Sequence, residues 1–163
     1  MNVMLNKSVL VVDDDVRMLR ALAKVLTGEG AAVTCAQWAG DAIELLTERR
    51  KQIDLVITDL RMPFVSGMTA VYAIHKVFPK LPIIVLTAFG SPEVRAECFR
   101  QGATAFLEKP LNSQALLAVI TKVFLSPATG AGGMESDPSE AGGQPATEVA
   151  GAGISTAGTK NCL

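Results

Sequence analysis

The amino-acid sequence predicts a doubly wound α/β fold, with one sheet of five parallel strands and five helices packed on its two faces. Several short runs, such as residues 55–57 and 83–86, are apolar without alternation, as in strands that are buried on both faces. Segments with apolar residues at helical spacing separate these runs, which is the pattern of a parallel sheet. The 163 residues are 49% hydrophobic, enough for a substantial core.

Strands and helices alternate along the chain. The five predicted strands are short and apolar and cover residues 8–12, 32–36, 53–59, 82–87 and 103–107. The five helices are predicted to begin near Val16, Gly40, Ser66, Pro92 and Leu111. The last helix is predicted to end near Leu125.

Local signals support several of these boundaries. Ser91 and Pro92 combine a helix cap with a proline in the first turn. Gly28 ends the first helix, and Pro79 stops the third. The basic run at residues 49–51 is typical of a helix C-terminus, where positive charge meets the negative end of the helix dipole.

Composition changes sharply at Ser126. Of the 38 residues from 126 to 163, 26 are Gly, Ala, Pro, Ser or Thr. Such a segment buries too little apolar surface to offset the entropy lost on ordering. The sequence therefore predicts a folded domain over residues 7–125 and a disordered tail over residues 126–163.

Charge and composition exclude several classes of function. The formal net charge is −1, so the chain offers no basic field for nucleic acid or acidic membranes. No apolar run reaches the ~18 residues that span a bilayer. The three cysteines form no close-spaced pair, which argues against structural zinc, and their odd number is typical of a reducing cytosol. The N-terminus lacks the features of a signal peptide, and we expect a cytoplasmic protein.

Polar side chains follow four of the predicted strands. Asp13 and Asp14 end the first strand, Asp59 the third and Thr87 the fourth, and the fifth runs into Lys109. Carboxylates brought together at one edge of a sheet repel each other by about 4 kcal/mol per pair at ~4 Å. A hard cation such as Mg²⁺ relieves that repulsion. Carboxylate, metal, lysine and hydroxyl together indicate a site that accepts a phosphoryl group on Asp59.

Each of these residues also has an ordinary structural explanation. The aspartates at residues 13–15 are suited to capping the first helix, and Asp15 is nearest its start. Thr87 fits a strand as a β-branched residue, Lys109 fits a solvated turn, and Asp59 fits the end of a strand. The functional interpretation rests on the convergence of these residues at one edge of the sheet.

Over residues 7–125 the sequence resembles the response-regulator receiver domains of two-component signalling. The motifs that carry the resemblance are Val11-Val12-Asp13-Asp14, Asp59-Leu60-Arg61-Met62-Pro63 with Gly67, Thr87-Ala88, Phe106, and Lys109-Pro110. The resemblance implies a flavodoxin-like sheet. It also implies that a partner histidine kinase or phosphotransfer protein phosphorylates Asp59, with no enzymatic activity beyond self-catalysed phosphorylation and autodephosphorylation.

The resemblance further assigns roles to individual residues. Asp14, Asp59 and the backbone carbonyl of Arg61 would hold Mg²⁺, with Asp13 acting through water. Two more residues, Thr87 and Phe106, would form the switch that responds to phosphorylation. A cis peptide bond would precede Pro110, which sequence physics permits but does not require.

Two alternatives remain at this stage. A haloacid-dehalogenase-type phosphohydrolase also forms an aspartyl phosphate, and Asp13-x-Asp15 imitates its motif, but Arg17 stands where its threonine is expected. The chain also fits the receiver half of a transcriptional regulator whose output domain is absent. Residues 126–163 show neither helix-turn-helix periodicity nor a basic cluster, which favours a receiver that acts through protein contacts.

The last predicted helix is more apolar than packing on one sheet requires. Its apolar residues fill a stripe about 160° wide, against about 100° for a simple surface helix. We therefore predict that the face bearing Leu116 and Val123 is a contact surface for a downstream protein or a second copy of the chain. Packing on the sheet could instead cover the whole stripe.

Overall fold

The fold predicted from the sequence is confirmed. A computed structural model describes residues 2–48, 52–63 and 65–126, and in these ranges five parallel strands form one sheet with five helices around it. The strands are β1 (Ser8–Val12), β2 (Ala32–Ala36), β3 (Leu55–Thr58), β4 (Ile83–Thr87) and β5 (Ala105–Glu108). The helices are α1 (Val16–Gly28), α2 (Ala39–Glu48), α3 (Gly67–Val77), α4 (Pro92–Arg100) and α5 (Ser113–Leu125).

The strand order places the ends of β1 and β3 side by side at the centre of the sheet. The order is β2-β1-β3-β4-β5, and every neighbouring pair is parallel. Val12 lies opposite Thr58, so the next residues, Asp13 and Asp59, leave the sheet together. The chain changes direction across the sheet between β1 and β3, which is where open α/β sheets form a crevice for ligands.

Side chains that alternate along the strands form two apolar cores. On one face, Leu22 of α1 and Ile120 of α5 pack with strand residues such as Val11. On the other face, α2, α3 and α4 contribute residues such as Ile74, which pack with strand residues such as Val56. Because both faces are covered, the strands are apolar at successive positions.

Capping side chains set the helix starts. Asp15 caps α1 and Ser91 caps α4, as predicted. The last helix, α5, begins at Ser113 rather than at Leu111, because the Asn112 side chain accepts hydrogen bonds from two N–H groups of the first turn. An asparagine at this position satisfies donors that have no partner within the helix.

The prediction that Leu116 contributes to an exposed contact surface is wrong. Leu116 and Ile120 are fully buried, with 0% of their surface exposed. Val123 is half-buried and packs against the same core. The sheet, α1 and the start of the chain cover most of the apolar stripe, so the alternative of complete packing describes α5 better. Leu125, at the helix end, is the large apolar residue of α5 that is exposed.

Two sequence predictions fall on residues that lie outside the described ranges. These are the basic end of the second helix at residues 49–51, and the tail, of which only Ser126 is described. Within the described ranges, no helix is both long enough and apolar enough to cross a membrane.

Candidate functional site

Two aspartates form the centre of the site. Asp13 follows β1 and Asp59 follows β3, and both are nearly buried, with 2% and 8% of their surface exposed. The strand register brings them together although 45 residues separate them in the sequence. Burial of two carboxylates side by side is unfavourable unless another charge compensates it.

A single lysine supplies that compensation. The Lys109 Nζ donates to Asp13 Oδ2 at 2.8 Å and to Asp59 Oδ2 at 3.2 Å. The lysine follows β5, and its backbone N–H donates to the Thr87 carbonyl at 2.8 Å, which fixes the start of its side chain. The peptide bond from Lys109 to Pro110 is cis, the geometry that the receiver resemblance implies.

The other oxygen of each carboxylate accepts a backbone N–H. Asp13 Oδ1 accepts from Asp15 at 2.9 Å, and Asp59 Oδ1 accepts from Leu60 at 2.7 Å. Each aspartate is therefore held by one amide and by the shared lysine. Carboxylates held in this way have a fixed orientation before any ligand arrives.

Burial and charge shift two pKa values. Burial raises the pKa of Asp13 above its usual 3.8, and the hydrogen bond from Lys109 only partly opposes this shift. For Lys109, burial by itself lowers the pKa, but the hydrogen bond and charge of Asp13, together with those of Asp59, outweigh it. The net pKa of Lys109 is raised, so the ammonium stays charged throughout the physiological range.

A third aspartate completes a group that could hold a metal ion. Asp13, Asp14 and Asp59 each offer a carboxylate oxygen, and these atoms lie within 4.8 Å of one another. Asp14 is exposed, unlike the other two. Oxygen ligands with one side open to water are the arrangement that Mg²⁺ prefers, and the residues present fit that ion.

Asp15 is separate from this cluster. Its side chain accepts the N–H of Arg17 at 2.9 Å and caps α1. Hydrogen bonds from the Arg17 backbone and side chain lower the pKa of Asp15. The phosphohydrolase alternative rests on the Asp13-x-Asp15 motif, and Asp15 serves here as the cap of α1.

Two further residues suggested by the sequence lie on the neighbouring strands, Thr87 at the end of β4 and Phe106 within β5. Thr87 is fully buried, and its hydroxyl oxygen accepts the N–H of Phe89 at 3.3 Å. Phe106 is also buried, on β5 opposite Val85, and the Arg95 guanidinium of α4 lies 5.4 Å from the centre of its ring. Thr87 thus ends the strand next to the one that Asp59 follows, whereas Phe106 lies beneath α4.

Gly67 allows the loop after Asp59 to fold closely. Its N–H donates to the Leu60 carbonyl at 2.9 Å. A Cβ atom at this position would overlap the backbone at Asp59 and Leu60, which cannot move aside without disturbing the strand end. A glycine eight residues after the aspartate is therefore required by the close approach of α3.

Sequence reasoning missed one contact at the rim. The Arg61 guanidinium lies 3.0 Å from the centre of the Phe89 ring, so the loops after β3 and β4 are linked by a cation–π contact. The Arg61 side chain is directed to that ring, which leaves its backbone carbonyl as the group suggested for the metal. Loop side chains follow no period, so no sequence pattern could have shown this contact.

The fold and the acidic cluster define a known class of signalling domain. Residues 9–121 match the family of the response regulator receiver domain, and the chain belongs to that family. Receiver domains are the phosphorylated domains of two-component response regulators rather than enzymes, and an acidic Mg²⁺ site is typical of them. Phosphorylation and Mg²⁺ binding both accord with the aspartates and the lysine that the structure brings together.

Curated relatives of the chain are longer response regulators. The transcriptional regulatory protein GlrR of Escherichia coli strain K12 is 40% identical over 111 residues, which are 68% of this chain and 24% of that protein. The transcriptional regulatory protein ZraR of Salmonella typhimurium is 37% identical over 116 residues, which are 71% of this chain and 26% of that protein. The chain thus spans about a quarter of the length of these relatives.

Solved structures agree with the family assignment. A receiver domain protein from Clostridium thermocellum has a TM-score of 0.69 and 31% identity, covering 72% of this chain and 94% of its own. A CheX–CheY complex with BeF₃ and Mg²⁺ from Borrelia burgdorferi has a TM-score of 0.71 and 28% identity, with 74% and 90% covered.

Proposed function

We propose that the chain is a phosphorylation-dependent switch that accepts a phosphoryl group on Asp59 and signals through protein contacts. The observation that carries the proposal is the Lys109 ammonium shared between Asp13 and Asp59. It holds the Asp59 carboxylate in a fixed orientation at a nearly buried position, beside oxygen atoms suited to Mg²⁺. An ionised carboxylate beside a cation site is a nucleophile for phosphoryl transfer.

The donor is a phosphohistidine on a sensor kinase or phosphotransfer protein. One Asp59 oxygen attacks the phosphorus atom, a phosphorus–oxygen bond forms and the phosphorus–nitrogen bond breaks. The electron pair stays on the imidazole nitrogen, and a ring that carries a proton on its other nitrogen leaves as neutral imidazole. In the return step, water attacks the same phosphorus atom and the phosphorus–oxygen bond to Asp59 breaks. Inorganic phosphate leaves with the protons of the water, and the carboxylate is restored, which is autodephosphorylation.

Mg²⁺ would be held by Asp14, Asp59 and the Arg61 carbonyl, with Asp13 acting through water. When bound, the ion neutralises charge on the phosphoryl oxygens. Lys109 provides a second positive charge and remains charged because its pKa is raised. The CheY relative described with BeF₃ and Mg²⁺ supports this choice of ion.

Thr87 and Phe106 would report the modification. The Thr87 hydroxyl accepts from Phe89 and can donate its own proton to a phosphoryl oxygen. Movement of Thr87 would alter the space beside Phe106 and so the surface of α4, β5 and α5. The contact surface we propose there excludes the buried Leu116.

In this proposal a partner protein carries out the response to phosphorylation. We also propose a cytoplasmic setting, because a kinase takes its phosphoryl group from ATP. Residues 7–125 would form the receiver and residues 126–163 a tail or linker.

The curated relatives favour a second candidate, in which this chain is the receiver part of a longer transcriptional regulator. A partner pull-down with and without phosphodonor tests the first candidate.

The phosphoacceptor role is tested with Asp59→Asn and the control Asp54→Asn. Both changes remove one carboxylate, but Asp54 lies at the start of β3, at the opposite edge of the sheet. With phosphoramidate and Mg²⁺, we expect the parent and Asp54→Asn to gain the mass of one phosphoryl group, and Asp59→Asn to gain none. Equal labelling of Asp59→Asn would show that another residue is the acceptor.

A further inference from the structure

Thr58 is a polar residue in a strand that is otherwise apolar. It is the last residue of β3, with 1% of its surface exposed, between Val12 of β1 and Val85 of β4. Valine has the same shape and would need no hydrogen bond. A buried hydroxyl without a partner destabilises the folded protein, so its partner matters.

The partner is the backbone of the next residue. The Thr58 Oγ1 donates to the Asp59 carbonyl oxygen at 3.0 Å. That carbonyl belongs to the peptide group that joins Asp59 to Leu60. The N–H of the same peptide group donates to Asp59 Oδ1 at 2.7 Å. One planar peptide group is therefore bonded at both ends, to Thr58 and to the carboxylate of Asp59 itself.

Planarity makes these two hydrogen bonds interdependent. In a trans peptide group the C=O and N–H point in opposite directions, and rotation of one rotates the other. A hydroxyl that fixes the carbonyl therefore also fixes the direction of the Leu60 N–H. Gly67 permits α3 to pack directly on this peptide group, but it donates to the Leu60 carbonyl and leaves the Asp59 carbonyl to Thr58.

We propose that Thr58 is a positioning residue for the nucleophile. Its hydroxyl orients the Asp59–Leu60 peptide group, the Leu60 N–H holds Asp59 Oδ1, and Lys109 holds Oδ2 at 3.2 Å. Both carboxylate oxygens are thus directed before the donor arrives. This inference rests on the proposed function, because it concerns the rate at which Asp59 is phosphorylated.

The test compares Thr58→Val with Thr58→Ser. Valine keeps the shape and removes the hydroxyl, whereas serine keeps the hydroxyl. With phosphoramidate over a range of concentrations and saturating Mg²⁺, we expect Thr58→Val to lower the maximal phosphorylation rate about tenfold, because small misplacements of reacting groups reduce rates strongly. The half-saturating Mg²⁺ concentration should not change. Thr58→Ser should recover the rate to within about threefold of the parent.

A matched control is Thr27→Val. Thr27 also donates its hydroxyl to a backbone carbonyl, that of Ala23, but it lies near the end of α1, far from Asp59. If the Thr58 hydroxyl had only a structural role, both valine variants would lose thermal stability, and neither would lose phosphorylation rate. We expect the phosphorylation rate of Thr27→Val to equal that of the parent.

A spectroscopic measurement follows the hydrogen bond directly. The amide proton resonance of Leu60 should shift in Thr58→Val and return in Thr58→Ser, and Thr58→Ala serves if the valine variant does not fold. A parental phosphorylation rate in Thr58→Val, or in Thr58→Ala where the valine variant does not fold, would overturn the positioning role. Loss of labelling at Asp59 in the parent protein would instead overturn the proposed function, so the two failures can be distinguished.

Discussion

Two groups of lysine and aspartate side chains lie at opposite edges of the same sheet. At the carboxyl edge, Lys109 contacts Asp13 and Asp59, with 16% of the lysine side chain exposed and 3% and 10% of the two aspartate side chains. At the amino edge, Lys7 lies 3.5 Å from Asp54, and the two side chains are 39% and 38% exposed. The residue types are the same, but the surroundings differ.

The comparison indicates that two features distinguish the proposed functional edge: the burial of its side chains and the number of negative charges. Lysine–aspartate pairing occurs at both edges. Lys7 and Asp54 balance each other in water, where such a pair contributes about 0–1 kcal/mol to stability. At the carboxyl edge, two buried carboxylates share one ammonium, and Asp14 adds a third negative charge. That edge has an excess of negative charge and can lower its energy by binding a cation. The Lys7–Asp54 pair carries no such excess.

The largest difference should appear when each lysine is replaced by methionine. Lys109→Met removes the positive charge beside Asp59, and we expect phosphorylation by phosphoramidate to slow about 100-fold, as when one preorganised donor is removed from a reacting site. Lys7→Met should leave the rate unchanged and cost less than about 1 kcal/mol of stability. Initial rates at saturating Mg²⁺ measure both. Similar rates for the two variants would mean that the edges do not differ in function.

The affinity for Mg²⁺ should also differ between variants at the two edges, but by a smaller factor than the phosphorylation rate. Asp14→Asn removes one charged oxygen from the cluster and should weaken Mg²⁺ binding about tenfold or more. Asp54→Asn at the amino edge should bind Mg²⁺ as the parent does. Isothermal titration calorimetry gives the affinities. Unchanged binding in Asp14→Asn would remove this residue from the proposed ligand set.

The pH dependence of stability should reveal the burial of Asp13 at the carboxyl edge. Because the pKa of Asp13 is raised above 3.8, the folded state keeps the Asp13 proton to a higher pH than the unfolded state does. The free energy of unfolding therefore falls as pH rises through that interval. Without Mg²⁺, Asp13→Asn should be more stable than the parent at pH 7, and the gain should shrink as pH falls toward 3.8.

Urea denaturation at a series of pH values measures this difference. Saturating Mg²⁺ should reverse the order of the two proteins at pH 7, because only the parent keeps the complete cluster and gains the full free energy of metal binding. A parent that is more stable than Asp13→Asn at pH 7 without metal would contradict the sign derived from the raised pKa.

The smallest effect is expected from removing residues 127–163. The last described helix, α5, ends at Leu125 near the amino edge, where Lys7 lies 5.3 Å from the centre of the Phe124 ring. Removal should therefore leave the rate of Asp59 phosphorylation unchanged and alter the free energy of unfolding by less than about 1 kcal/mol. Thermal denaturation and labelling of the shortened chain measure both. A larger loss of stability would show that these residues pack on the domain.

Sequence patterns located the strands and the aspartates because both depend on local rules. Continuous apolar runs predicted strands buried on two faces, and their ends brought Asp13, Asp59 and Lys109 to one edge. The exposure of Leu116 was mispredicted because the width of an apolar stripe does not tell how much of it the neighbouring elements cover. The hydroxyl of Thr58 escaped notice because threonine is common in strands, and only coordinates show which group it bonds.

The position at which α5 ends has a consequence for any domain joined to the receiver. With 13 residues, α5 is about 20 Å long, and it runs antiparallel to the strands, away from Asp59. A segment attached after Ser126 therefore begins at the far end of the domain from the modified aspartate. The point of attachment therefore lies about one helix length from a phosphoryl group on Asp59. A displacement relayed along α4, β5 or α5 would carry the signal from Asp59 to that point.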